Sequence, residues 1–164
     1  VSQAGVINHG SFGLGVRAAT EPQNVTPPNH ALDNEGSREW LLMDFGMSHS
    51  ISQINVGWTQ NDRDFTLWRY RGVGALNSLA SFDAIPFAFS TLAQNFNVPV
   101  TNSGAARYWA ISAGVDGQNS TDYLKITGVQ GSVVPEPSTY ALLGTGLLAL
   151  GGLARRRARG TRQG

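Results

Sequence analysis

The sequence predicts an all-β protein: a single β-sandwich of jelly-roll type, followed by one C-terminal transmembrane helix. Three observations predict it. Apolar and aromatic side chains alternate with polar ones in segment after segment between residues 39 and 129, the period-two signature of strands with a buried face. Glycine, asparagine, aspartate and proline cluster between those segments and mark turns. Over residues 140–154 every residue is apolar, glycine, threonine or tyrosine, and an arginine cluster follows at once.

Taken in order, residues 10–15 (GSFGLG) come first. Gly13, Gly15 and Ala18 fit G-x-G-x-x-A, which marks a dinucleotide site only between a strand and a helix. Here the chain runs instead into Pro22, Pro27 and Pro28, which forbid that helix. A loop or an irregular edge strand is expected, followed by a polar surface loop over 20–37. A strand covered on both faces is expected over 39–45 and a turn over 46–50. Next comes a half-buried strand in which Ile54, Val56 and Trp58 alternate with Gln53, Asn55 and Gly57. Over 65–70, Phe65 and Leu67 face one way and Thr66, Trp68 and Tyr70 the other. Further strands are expected over 87–92, 98–101, 108–113 and 123–129, with one helical turn over 76–82. Seven or so short strands at this spacing argue a sandwich.

The 164 residues leave room for one domain of about 130 residues plus a tail. No cysteine is present, which excludes disulfides and thiolate metal sites and leaves stability to packing, supplemented at most by a bound ion. Charge is divided unevenly: residues 1–134 carry seven basic and ten acidic side chains, residues 135–164 five arginines and one glutamate. The basic character belongs to the tail, so a nucleic-acid partner is not expected. Nothing near Val1 combines a basic region with an apolar stretch. Because an outward-facing domain has to be exported, a signal peptide is expected to precede this sequence.

In the tail, Pro135 and Pro137 fix their own φ and push Val134 and Glu136 out of the α region. An extended segment is expected just outside a helix capped by Ser138 or Thr139. The fifteen residues 140–154 make a helix of about 22 Å, short of the ~30 Å hydrocarbon core. Tyr140 at the interface and snorkelling by Arg155, Arg156, Arg157 and Arg159 are expected to make up the difference. The arginines then keep the C-terminus cytoplasmic and the domain outside. The expected organisation is an exported domain over 1–131 and a sorting segment over 132–159. Within that segment lie a recognition motif over 134–137, a transmembrane helix over 138–154 and an arginine cluster over 155–159. Residues 160–164 are the cytoplasmic end.

Pro135-Glu136-Pro137, then a short Leu/Gly/Ala helix, then arginines at the extreme C-terminus resembles the PEP-CTERM sorting signal of Gram-negative bacteria. The resemblance implies that an exosortase, an integral-membrane cysteine transpeptidase-like enzyme, is the partner. Val134, Pro135, Glu136, Pro137 and Ser138 are the sorting motif it implies. It also implies a transient stay at the inner membrane before cleavage delivers the domain to the cell surface or outside, in species that make an exopolysaccharide matrix. The succession NHALDN at 29–34, INVGW at 54–58, NDRDFTLWRY at 61–70, YWAISA at 108–113 and DYLKITGV at 122–129 is similar to small exosortase-dependent surface proteins, a resemblance that implies no activity.

No residue stands out as catalytic. His9, His30 and His49 fall in expected loops without metal-site spacing, and no G-x-S-x-G elbow occurs. Asp33, Asn34, Asp62 and Asp64 lie on expected loops and are oxygen donors of the kind Ca²⁺ takes, although turns use the same residues for local hydrogen bonds. No other cofactor is expected. Trp68 and Tyr70 are candidates for stacking on sugar, set against the ordinary use of aromatics as core. The expected function is that of a non-enzymatic surface or extracellular-matrix protein associated with exopolysaccharide. The alternatives are a carbohydrate-binding module and a secreted hydrolase.

Overall fold

The computed structural model describes residues 5–8, 10–17, 29–34, 38–61, 63–89, 94–114, 122–135 and 137–160. The chain divides into two compact units, Val1–Val133 and Val134–Gly164.

The first unit is all-β, but it holds one sheet rather than the expected two. Its strands are β1 (Gly5–Asn8), β2 (Leu14–Arg17), β3 (Leu32–Asp33), β4 (Trp40–Asn61), β5 (Phe65–Tyr70), β6 (Phe82–Phe87), β7 (Phe96–Pro99), β8 (Ala106–Ala113) and β9 (Asp122–Val133). They hydrogen-bond in the order β1-β2-β9-β4-β8-β5-β6, with β3 also on β9 and β7 also on β4. The cause lies in β4, which is 22 residues long. Its first part pairs with β8, from Trp40↔Ser112 to Asp44↔Tyr108, and its second part pairs with β9, from His49↔Val133 to Asn61↔Asp122. One strand thus does the work expected of two, and the ladder passes unbroken from one wing to the other.

The turn expected over 46–50 is therefore a bulge inside β4. Gly46 has φ +75° and donates its N–H to Asp44 Oδ1 at 2.8 Å, while the register on β8 shifts between Asp44 and His49. Along β9 the register shifts three more times, between Ile51 and Gln53, Asn55 and Val56, and Val56 and Trp58. Each irregularity bends and twists the strand. Val16 of β2, Leu32 of β3, Ile54 and Val56 of β4, Phe65 and Leu67 of β5, Trp109 and Ile111 of β8, and Leu124 and Ile126 of β9 share one buried cluster. No α-helix covers them among the described residues of this unit. A sheet face is buried only by another layer, so the bent sheet supplies its own cover.

Other boundaries moved for local reasons. A 3-10 turn, Leu79–Ser81, occupies part of the expected 76–82 turn. Of the strand expected over 87–92, Phe87 is the last residue of β6, which has Pro86 in it, residues 88 and 89 are not in a strand, and residues 90–92 lie outside the described residues. β6 closes one end of the sheet order, and proline is tolerated in an edge strand because its missing N–H is not needed there. The stretch 10–17 is a 3-10 turn and a strand. Its glycines serve close packing: a Cβ on Gly15 would collide with the His30 carbonyl oxygen, and one on Gly13 would stand 2.6 Å from that of Ile126.

The second unit holds α1 (Pro137–Gly160). Among the described residues no helix is long and apolar enough to cross a membrane, which overturns the transmembrane span expected over 138–154. Gly144, Thr145, Gly146, Gly151 and Gly152 dilute the leucines of the run, and Arg155, Arg156, Arg157 and Arg159 lie within the helix itself. The orientation inferred from those arginines falls with the span.

Candidate functional site

β9 delivers the C-terminal segment. Its last residue, Val133, lies opposite His49 and is 50% exposed, and Val134 is 38% exposed. Pro135 is also exposed. Glu136 lies outside the described residues. Pro137, expected to stay outside the helix, is instead the first residue of α1, with Ser138 next. Proline is accepted in a first helical turn, where its missing N–H has no intrahelical partner to lose. Along α1 Leu142, Leu143, Leu147, Leu148 and Leu150 are well exposed, Leu148 reaching 78%. Thr145 turns its hydroxyl back to the carbonyls of Ala141 and Leu142, at 2.9 and 3.0 Å.

The outward face of β5 and β8 carries a second group of candidates. Trp68 lies beside Ala84 and Ala110, and Thr66 beside Pro86 and Ser112. Trp40, Trp68, Tyr70 and Tyr108 are half-buried. The Tyr70 ring lies 5.2 Å from Phe82 and 5.7 Å from Tyr108, and Trp40 meets Phe82 edge-on at 6.3 Å. Thr66, Ala110 and Ser112 on this face are fully buried, so the rings roof them. Trp68 Nε1 donates to Ser112 Oγ at 2.9 Å, and the Tyr70 hydroxyl donates to the Gly74 carbonyl at 2.8 Å. Arg107 borders the group, its guanidinium 4.9 Å from the Tyr108 ring centre and paired with Asp44. Hydrogen bonds from Arg107, and then from the Gly46 amide, hold the Asp44 carboxyl down to about 2. Trp109 faces the interior instead and is fully buried.

Asp64 and Asn34, two of the calcium candidates, meet protein partners. Asp62 lies outside the described residues. Asp64 is buried and accepts the Phe89 amide at 2.6 Å. Asn34 donates to Asp122 Oδ2 at 2.8 Å and accepts the Asp122 amide at 2.9 Å, while Asp33 lies opposite Tyr123. Among the described residues no three His, Asp or Glu side chains are grouped to hold a metal ion.

The histidines separate. His9 lies outside the described residues. His30 is buried at φ +58°. His49 sits in β4 rather than in a loop, stacked 5.0 Å from Phe45. Two buried cations were not foreseen. Lys125 Nζ donates to the Asn29 carbonyl at 3.3 Å and stands 5.3 Å from the Trp58 ring, and Arg63 lies 4.9 Å from the Phe96 ring. Lys125 is signalled in the sequence by standing between Leu124 and Ile126, whereas Arg63 stands between Asp62 and Asp64 and carries no such signal.

A family model for the PEP-CTERM protein-sorting motif matches residues 133–158. No curated protein and no solved structure matches the chain.

Proposed function

We propose that this protein, which carries the PEP-CTERM motif of an exosortase-sorted, exported chain, is a non-enzymatic component of the cell surface or of an exopolysaccharide-rich matrix. A cut near Pro135-Glu136-Pro137 frees or transfers its β unit. The observation that carries this is where the core ends. Every residue of the hydrophobic cluster, and every residue packed against it, lies between Leu14 and Val129, whereas the sorting motif starts at Val133. A cut beyond Val133 therefore leaves the whole of that cluster within the β unit. Val134 and Pro135 are exposed, and Pro135 disfavours helix at Val134, which suits an enzyme that reads extended backbone. α1 adds exposed leucines and four arginines, an apolar and cationic tail by which a membrane-embedded enzyme can hold the chain.

The test is the intact mass of the protein recovered from the surface or medium of its host, beside the cell-retained form. A product ending near residues 134–138 is expected, and the Pro135→Ala, Pro137→Ala double variant should accumulate uncut. A surface product that keeps its arginines overturns the reading.

One observation favours a second reading, that of a carbohydrate-binding module: four half-exposed rings, Trp40, Trp68, Tyr70 and Tyr108, gather on one outer face. Such rings stack on sugar faces, and the polysaccharide of the matrix is the ligand that reading names. Retardation in polysaccharide-containing native gels, lost on Trp68→Ala or Tyr70→Ala, would support it. Equal mobility with and without polysaccharide would exclude it.

A further inference from the structure

A protease that cuts within a chain needs several residues of extended backbone whose N–H and C=O groups are free to pair with its own. Here three residues, 134–136, lie between the end of β9 and the start of α1. The remainder has to come from an element that opens.

β9 is built to open at its end. Three rungs, His49↔Val133, Ser50↔Ser132 and Ile51↔Gly131, are separated from the next, Gln53↔Gln130, by a register shift in β4. Residues 130–133 are all exposed, and no core side chain lies among them. Beyond the backbone ladder, the terminal rungs are joined by the Ser50 and Ser132 hydroxyls at 3.2 Å. Exposed bonds of this kind open at little cost. By contrast Val129 packs against the core and residues 122–126 are buried without a break, so opening that starts at Val133 stops before them. β4 stays in place during it, because Ile51 is buried and its amide donates to Ser103 Oγ at 3.0 Å.

We propose that residues 131–133 of β9 peel from β4 before the chain is cut, so that the three rungs below the bulge act as a gate on sorting and the partner that captures the opened strand is the sorting protease. The inference rests on the cleavage reading above. It makes the Ser50–Ser132 rung a control point that lies outside the sorting motif.

The chain has no cysteine, and Ser50 and Ser132 are directly opposite, so the Ser50→Cys, Ser132→Cys pair can be closed as a disulfide. Release should be followed by intact mass in the host for the wild type, each single variant and the double variant, with and without a mild reductant. The oxidised double variant is expected to release product at least about tenfold more slowly, since cutting follows the population of the open form. The reduced double variant and the single variants should match the wild type. Inserting about six Gly/Ser residues after Val133 in the locked protein supplies free extended chain and should restore release, which separates the gate from a folding defect. Wild-type release from the oxidised variant overturns the gate alone. Failure of the inserted segment to rescue also overturns it. A wild-type protein that reaches the surface uncut overturns the gate and the cleavage reading together.

Discussion

Arg107 grips Asp44 with two hydrogen bonds, 2.7 Å from Nε to Oδ1 and 2.8 Å from Nη2 to Oδ2, across β4 and β8 beside the β4 bulge. The Gly46 amide adds a third bond to the same carboxylate, so the pair braces the place where the ladder shifts register. The Asp44 carboxyl is held at about 2, below its ordinary 3.8. A depressed folded-state value means that the ionised form favours the fold. The contribution is complete above the ordinary value and is lost as pH falls through the folded one. Asp44→Asn should therefore flatten the fall of melting temperature between about pH 4 and about pH 2, and leave its slope above pH 5 unchanged. Added salt should narrow the difference between the two proteins, because the pair is exposed. A wild type and variant with parallel acid melting curves would show that the pair is not linked to folding.

Gly15 and Gly10 test two different reasons for a glycine. Gly15 sits in β2 where a Cβ would collide with the His30 carbonyl oxygen, whereas Gly10 has φ +62° and nothing within 4 Å. Gly15→Ala forces two backbones apart and should cost about 1–3 kcal/mol or more. Gly10→Ala meets only the left-handed conformation and should cost about 1 kcal/mol. Urea midpoints at constant m-value decide the order, and a Gly10 variant weaker than the Gly15 variant would contradict this packing of β2.

The strands written in alternation were legible because their inward and outward residues differ in kind. Phe65 and Leu67 are buried and Trp68 and Tyr70 half-buried, as the sequence implies. The 22-residue β4 was not legible as one strand, since Gly46-Met47-Ser48 has the composition of a turn, and a bulge uses the same residues. The difference between one sheet and two is not local at all. It depends on β4 exchanging β8 for β9 halfway along, which no window of alternation reports. The tail was legible as an ordered set of parts. Length and flanks suggest a span over its helix, while glycine and threonine among the leucines decide against one. Trp68 and Tyr70 could be nominated from β5, but their neighbours Tyr108 and Phe82 join them only through the register of β8 and β6.

Trp109 joins β8 to β4 from within the core. Its ring is fully buried, and its indole N–H is shared between the Ala106 carbonyl at 2.9 Å and the His49 carbonyl at 3.2 Å. It thereby ties β8 to β4 on the far side of the bulge from Asp44. Trp109→Phe keeps an aromatic ring but leaves a void and removes an indole donor from the buried Ala106 carbonyl and the part-buried His49 carbonyl, a combination expected to cost about 2–4 kcal/mol. Trp68→Phe removes a comparable hydrogen bond, to Ser112, at a half-buried position and should cost about 1 kcal/mol. Fluorescence separates the two without reference to stability. Loss of Trp109 should remove the bluest and least acrylamide-accessible part of the emission, and loss of Trp68 should remove a redder, more quenchable part. If the two variants exchanged these signatures, Trp109 would not be the interior ring that holds β8 on β4.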